Sequence, residues 1–203
     1  IEIHNRPLVF NYLKKYLTQK FILYFHNDPL TMKGSKTASE RLYLLDKVDK
    51  IVFVSKWTQK QFFKNIDPKL IQKTDVIYPS INKEKKIYKK EKNIVFVGKL
   101  NASKGYDIYK NAIIKILDEF DNWRAYSIGD ESRDRPHINH LRHFELGFLE
   151  HKKVLKFLDK SEIAVVPSRW EEPFGRTALE ATSRGCATLI SNRGGLPETT
   201  KQA

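Results

Sequence analysis

The chain has 203 residues, 40% of them hydrophobic, and its 37 Lys and Arg against 24 Asp and Glu give a net charge of +13. At roughly 150 residues per domain this length supports one or two domains with real cores, and twelve Phe, nine Tyr and three Trp exclude a disordered chain. A single Cys excludes an internal disulfide framework and favours a reducing compartment, and no apolar run approaches the ~18 residues of a bilayer-spanning helix.

Residues 1–4 (IEIH) read as a strand running into an Asn5-Arg6-Pro7 turn, with no signal-peptide plan. The chain starts with Ile1 rather than Met and stops at PETTKQA, in what reads as the opening of a helix, so a piece of a longer protein is expected. Over 9–21, Phe10, Leu13, Leu17 and Phe21 share one helical face. Strands are predicted at 20–26, 50–55 and 74–79, and in TASERLYLLDKV (37–48) a helix start, opened by Thr37-x-x-Glu40 or by Ser39, precedes Leu42, Leu44 and Leu45.

INKEKKIYKKEKN (81–93) has linker composition, which divides the chain into a domain 1–84, a linker 85–92 and a domain 93–203. Beyond it strands and helices alternate: strand NIVFVG, helix KGYDIYKNAIIKILDEF, strands WRAYSIG and HFELGF, helix HKKVLKFLDKS, strand EIAVVPS, helix FGRTALEATSRG, strand CATLIS. Continuous apolar strands such as IVFV and IAVV belong to parallel sheets covered on both faces. The expected class is therefore α/β, two parallel-sheet units, both incomplete.

Ligands of such sheets sit beyond the carboxyl ends of the strands, and three loops there carry chemistry. Gly98-Lys99-Leu100-Asn101-Ala102-Ser103-Lys104-Gly105 joins amides and two ammoniums at a helix start, which suits an anion but is neither a Walker A loop nor Gly-x-Gly-x-x-Gly. An ordinary turn with solvated lysines is the competing reading. In Glu171-Glu172-Pro173-Phe174-Gly175 the carboxylates beside a helix start are favoured electrostatically. Glu180 breaks the apolar TALEATS face and calls for a polar partner. Ser191-Asn192-Arg193-Gly194-Gly195-Leu196-Pro197 is either a second amide cradle or a simple turn.

Taken together, EPFGRTALEA with its Glu172-x7-Glu180 spacing, VVPS before it, GGLPE after it and VGKLNASKG upstream resemble the retaining glycosyltransferases of family 4, which have the GT-B fold. FHNDP (25–29), IVFVSKW (51–57) and DVIYPSIN (75–82) resemble successive parts of that family's first domain, so the resemblance spans nearly the whole chain in order. It implies two Rossmann-like domains facing each other across a cleft, without the family's first N-terminal strands and its C-terminal segment. It also implies transfer of a hexose from a nucleotide diphosphate sugar to a saccharide or lipid-linked acceptor with retention, in lipopolysaccharide or cell-surface polysaccharide assembly, in the cytoplasm or peripherally on the inner face of the membrane. By resemblance, Lys99 and Lys104 neutralise the leaving diphosphate, and Gly98, Gly194 and Gly195 bring amides to the donor. Glu172 binds donor-sugar hydroxyls, with Phe174 and Gly175 in the same donor-binding loop. Glu180 takes the ribose hydroxyls, Gly147, Phe148 and Leu149 border the base, and His26 stands near the reacting sugar. No metal or other cofactor is implied. Lys99 departs from the family's usual Arg and offers a point charge without a fork.

Other readings stay beside this one. His137, His140 and His143 are too widely spread on a helix to suggest a metal site; His4 reads as a turn residue, Cys186 as a small apolar core residue and Trp170 as a packing wedge. Residues 1–90 carry a net +11 and residues 91–203 only +2. Segment 10–21 therefore reads either as a sheet-covering helix or as a basic amphipathic helix on an anionic membrane. A basic module binding nucleic acid or membrane without catalysis is the alternative function. Nucleic acid is disfavoured because only Arg6 and Arg41 among the nineteen basic residues of 1–90 are Arg.

Overall fold

The computed structural model describes residues 1–82, 88–131 and 137–199. They form two units, Ile1–Ser80 with Glu172–Phe174, and Ile81–Glu171 with Gly175–Ala203.

In the first unit, β1 (Glu2–His4), α1 (Pro7–Leu13), β2 (Ile22–Phe25), α2 (Ala38–Lys47), β3 (Lys50–Phe53), α3 (Lys56–Phe62) and β4 (Thr74–Val76) follow in order. The strands make one parallel sheet in the order β1-β2-β3-β4. Alternate residues Leu23 and Phe25 of β2 and Ile51 and Phe53 of β3 turn to one face, where Phe10, Phe21, Leu44, Leu45 and Phe62 cover them. The rings of Phe25, Phe53 and Phe62 lie 5.2–5.5 Å apart. Pro7 suits the first turn of α1, which ends at Leu13. The helix expected to continue to Phe21 is therefore shorter: Leu17 and Phe21 reach the same core from irregular chain, with the Phe21 amide donating to Asp49 Oδ2 at 2.8 Å.

Of the two openings expected for α2, the Thr37–Glu40 capping box is the one present. Thr37 Oγ1 accepts from the Glu40 amide at 3.2 Å, and the Glu40 carboxylate accepts from the Thr37 amide at 2.8 Å. Of the leucines on this helix, Leu44 and Leu45 are buried and Leu42 is exposed. Helix α3 was not anticipated; Ser55 caps it, accepting from the Thr58 amide at 3.0 Å. Within this unit the Pro173 carbonyl accepts from Ser55 Oγ at 2.5 Å and Thr58 Oγ1 at 3.2 Å, and Phe174 lies 5.9 Å from the Tyr78 ring.

The second unit contains β5 (Glu91–Val97), α4 (Tyr106–Glu119), β6 (Arg124–Ile128), β7 (His143–Gly147), α5 (His151–Lys160), β8 (Ser161–Val166), α6 (Arg176–Ser183) and β9 (Ala187–Ile190). Its parallel sheet runs β7-β6-β5-β8-β9, so the first strand of the unit is the central one. Consecutive residues of β5 serve opposite faces: Ile94 and Phe96 join Tyr106, Tyr109, Ile113 and Leu117, while Val95 joins Val154, Leu158, Ala181 and Cys186. This double coverage is why IVFV is apolar throughout. Burial pushes the Cys186 thiol above its usual range.

Of the linker expected at 85–92, Glu91 and Lys92 stand in β5, and 85–87 lie outside the described residues. Lys90 Nζ donates to the carbonyls of Leu158 (3.0 Å) and Arg184 (2.6 Å). At the end of the chain, Leu196–Glu198 is a 3₁₀ turn. The rest of the helix expected to open there falls on 200–203, outside the described residues. Among the described residues no helix is long and apolar enough to cross a membrane.

Candidate functional site

The strand tips of the second unit are held close by glycine. A Cβ on Gly129, after β6, would lie 1.8 Å from the Gly98 carbonyl oxygen, after β5. The Gly98 amide donates to the Ile128 carbonyl at 2.9 Å, and the Gly129 amide to the Gly147 carbonyl at 2.8 Å. The β5–α4 loop is then shaped by Asn101, whose Oδ1 accepts from Ser103 Oγ (2.8 Å) and the Lys104 amide (3.2 Å), while its Nδ2 donates to Glu131 (2.9 Å). Gly105 adopts φ +72° before α4, and a Cβ there would sit 1.9 Å from the Pro167 carbonyl oxygen. The Ser103 carbonyl accepts from the amides of both Arg169 and Trp170 at 3.0 Å. Thus the loops after β5 and β8 are locked together. Lys104 Nζ lies 4.9 Å from the Trp170 ring centroid, a cation–π distance. Trp170, expected as a packing wedge, is half exposed. Lys99 is exposed and has no ion-pair partner among the described residues.

On α6, Glu180 is only 8% exposed. Its Oε1 accepts from His151 Nε2 at 3.0 Å and lies 3.8 Å from Arg176. The polar partner that Glu180 required is therefore His151, at the start of α5 just beyond Gly147-Phe148-Leu149. Phe148 is 81% exposed and, with Leu100, Gly129, Asp130, Glu131, His137, Glu145 and Gly147, lines a cavity of about 320 Å³. Leu149 turns away and packs against the core. The Gly194 amide donates to Glu171 Oε2 at 2.5 Å, and Arg193 pairs with Oε1 at 3.2 Å, so the adjacent acidic residue already engages this cradle. Gly195 leads into the 3₁₀ turn.

The three histidines each have their own partner. His137 meets Glu145 at 2.9 Å, His140 meets Asp118 at 3.3 Å, and the buried His143 meets Ser127 Oγ at 2.9 Å.

In the first unit His26 follows β2. Asn5, with φ +56°, turns the chain after β1 and accepts with Oδ1 from the amides of His26 (2.7 Å) and Asn27 (3.2 Å). His4 Nδ1 lies 2.8 Å from His26 Nε2. Burial, then the neighbouring His4, holds His26 below the usual imidazole pKa. Glu172 and Phe174 are buried in the same unit. His151 was not expected at the site from the sequence, Glu171 was expected only as a carboxylate favoured beside a helix start, and Asn5 and His4 only as turn residues. The strand–Asn–Arg–Pro pattern was the available signal for the β1 tip.

The family model for glycosyl transferases group 1 matches residues 78–203. The chain belongs to that family. Among curated relatives of this group 1 chain, the putative glycosyltransferase YtcC of Bacillus subtilis is 25% identical over 99% of it and 57% of YtcC. The chain therefore spans little more than half of that relative's length. Among solved structures, HepE of Anabaena in complex with UDP superposes with a TM-score of 0.74 at 16% identity, over 97% of this chain and 61% of HepE. HepE in complex with UDP-glucose gives 0.72 at 17%, with the same coverage. Sucrose-phosphate synthase from Thermosynechococcus elongatus gives 0.70 at 17%, over 96% of this chain and 57% of that one. These likenesses, with the two parallel sheets, show the GT-B type of fold expected from the sequence.

Proposed function

We propose that this group 1 chain supplies the donor site of a retaining glycosyltransferase that moves a hexose from a nucleoside diphosphate sugar to a saccharide or lipid-linked acceptor. The observation that carries the reading is on α6: a carboxylate, Glu180, buried in a helix yet turned to His151 at the edge of the Phe148 loop. A carboxylate so placed is desolvated at a cost that its imidazole contact and the more distant Arg176 guanidinium, both on Oε1, offset only in part, and two ribose hydroxyls are the donors that would complete its hydrogen bonding.

Lys99 and Lys104, on the loop fastened to the β8 tip, supply fixed positive charge for a departing diphosphate, which stabilises the transition state without reorganisation. Glu172 takes hydroxyls of the donor sugar and His26 stands near the reacting carbon. Departure of the diphosphate and attack by the acceptor on one face, through an oxocarbenium-like state, retain configuration and need no side-chain nucleophile. HepE, a neighbour in fold, is described in complex with UDP and UDP-glucose, which makes a uridine nucleotide the first donor to test. The test is a thermal-shift panel of UDP-, GDP- and ADP-sugars on the full-length protein. One nucleotide series is expected to raise Tm by several degrees at saturating ligand; equal indifference to all three would overturn the proposal.

The place of work proposed is the inner face of a membrane carrying a surface polysaccharide or lipopolysaccharide acceptor. In support, exposed Tyr12 and Tyr16, with ring centroids 5.2 Å apart, flank Lys14 and Lys15 in the basic half of the chain. The full-length protein is expected to co-sediment with anionic vesicles several-fold better than with neutral ones at low salt. Equal partition between the two would remove membrane association from the proposal.

A further inference from the structure

Parallel pairing sets His4 beside Tyr24, two residues before His26. The His4 ring stacks on Tyr24 with centroids 4.7 Å apart and on His26 at 5.1 Å, the planes within 16° in both cases. Its Nδ1 meets His26 Nε2 at 2.8 Å, while its Nε2 faces Glu2 Oε2 at 3.7 Å. Glu2 and His4 are two apart on a strand and so share a face. These contacts use both nitrogens of His4 and one of His26.

We propose that Glu2, His4 and His26 form a carboxylate–imidazole–imidazole relay that fixes the proton of neutral His26 on Nε2, making Glu2 and His4 positioning residues for His26. The inference rests on the reading of His26 as a residue at the reacting sugar. A 2.8 Å contact between two ring nitrogens holds one hydrogen, so one ring donates and the other accepts. The carboxylate beside His4 Nε2 favours the hydrogen there, which leaves His4 Nδ1 with a lone pair to accept from His26 Nε2–H. Glu2 and His4 are both about half exposed, so Glu2 biases this arrangement rather than enforcing it. Asn5 fixes the backbone on the other side through the His26 and Asn27 amides.

Among the described residues, His4 on β1 and Tyr24 on β2 face the His26 ring, and Glu2 on β1 stands one step further away, against His4. A second proton on His26 would break no bond to His4, but protonation of both rings would. Burial and His4 together favour the uncharged ring. His26 then meets substrate through an unprotonated Nδ1, an acceptor for a sugar hydroxyl rather than a cation for phosphate.

Long-range ¹H–¹⁵N spectra of the histidine-labelled full-length protein test this. At neutral pH His26 is expected as the Nε2–H tautomer. His4→Phe keeps a ring on Tyr24 but no nitrogen. It should give a mixed tautomer and lower kcat about tenfold with the donor KM unchanged. His4→Asn places a carbonyl oxygen near the Nδ1 position and should restore both. An unchanged tautomer in His4→Phe, or equal losses in the Phe and Asn variants, overturns the relay. Wild-type transfer by His26→Ala would instead remove the role of His26 at the sugar, while the tautomer spectra still decide whether the relay exists.

Discussion

Glu180→Ala in the full-length protein lowers transfer from the nucleotide sugar by about two orders of magnitude, equivalent to ~3 kcal/mol, and leaves the second unit folded. The separation of these effects follows from the side chain's position. Glu180 is 8% exposed in the middle of α6, away from the helix N-terminus where a carboxylate would be favoured. It meets the imidazole of His151 and, more distantly, the guanidinium of Arg176. Removing it deletes a desolvated charge, so stability changes little, while two ligand hydroxyls lose their acceptor. Glu180→Gln keeps an oxygen toward His151 but not the charge, and should fall between. Donor titration calorimetry beside a melting curve reads both quantities. Wild-type donor affinity in the alanine variant would defeat the assignment of α6 to the site.

Arg41→Ala destabilises the first unit by about 4 kcal/mol, the largest single loss expected outside its aromatic core. Arg41 is 2% exposed. Its Nε donates to the Phe62 carbonyl at 2.6 Å, Nη1 to Ser35 (3.0 Å) and Lys36 (2.7 Å), and Nη2 to Lys64 (2.7 Å). One planar fork thereby satisfies carbonyls at the end of α3 and in the turn before α2. Burial lowers its pKa from the usual guanidinium value. Alanine leaves four carbonyls short of donors. Lysine, a point charge on a flexible stem, recovers about half of the loss because it cannot match the fork. For comparison, losing the Thr37 cap costs ~1 kcal/mol. Urea unfolding followed by circular dichroism measures this; a loss below about 1 kcal/mol would show that water replaces the guanidinium without penalty.

Local signals were read correctly where one short segment determines the outcome. The Thr37–Glu40 box, the two-faced apolar run of β5 and the break before α6 each lie within a few residues. Periodicity misled over 9–21, because Leu17 and Phe21 reach the core from chain that is no longer helical, and spacing alone does not report where the backbone leaves the helix. Helix α3 was hidden by its composition: Lys56, Gln59, Lys60 and Gln61 give it a weak apolar stripe, and its start rests on the Ser55 hydroxyl.

The candidate site was legible where a strand tip carries unusual residues, as at Gly98–Gly105. It was illegible where a partner arrives from far along the chain. His4 meets His26 only through strand register, His151 meets Glu180 only through the packing of α5 beside α6, and Glu171 takes the Gly194 amide across 23 positions.

The central place of β5 bears on how the second unit is made. β5 is the first of its strands to leave the ribosome, yet one flank pairs with β8, joining Ile94 to Ile163 after α4, β6, β7 and α5 have been synthesised. Until then an apolar strand has an open edge, the kind that invites pairing with another chain. Closing so long a loop before its contacts repay the lost entropy makes folding slow for a unit this rich in helix. Nascent chains halted before β8 are the ones that should depend on chaperones.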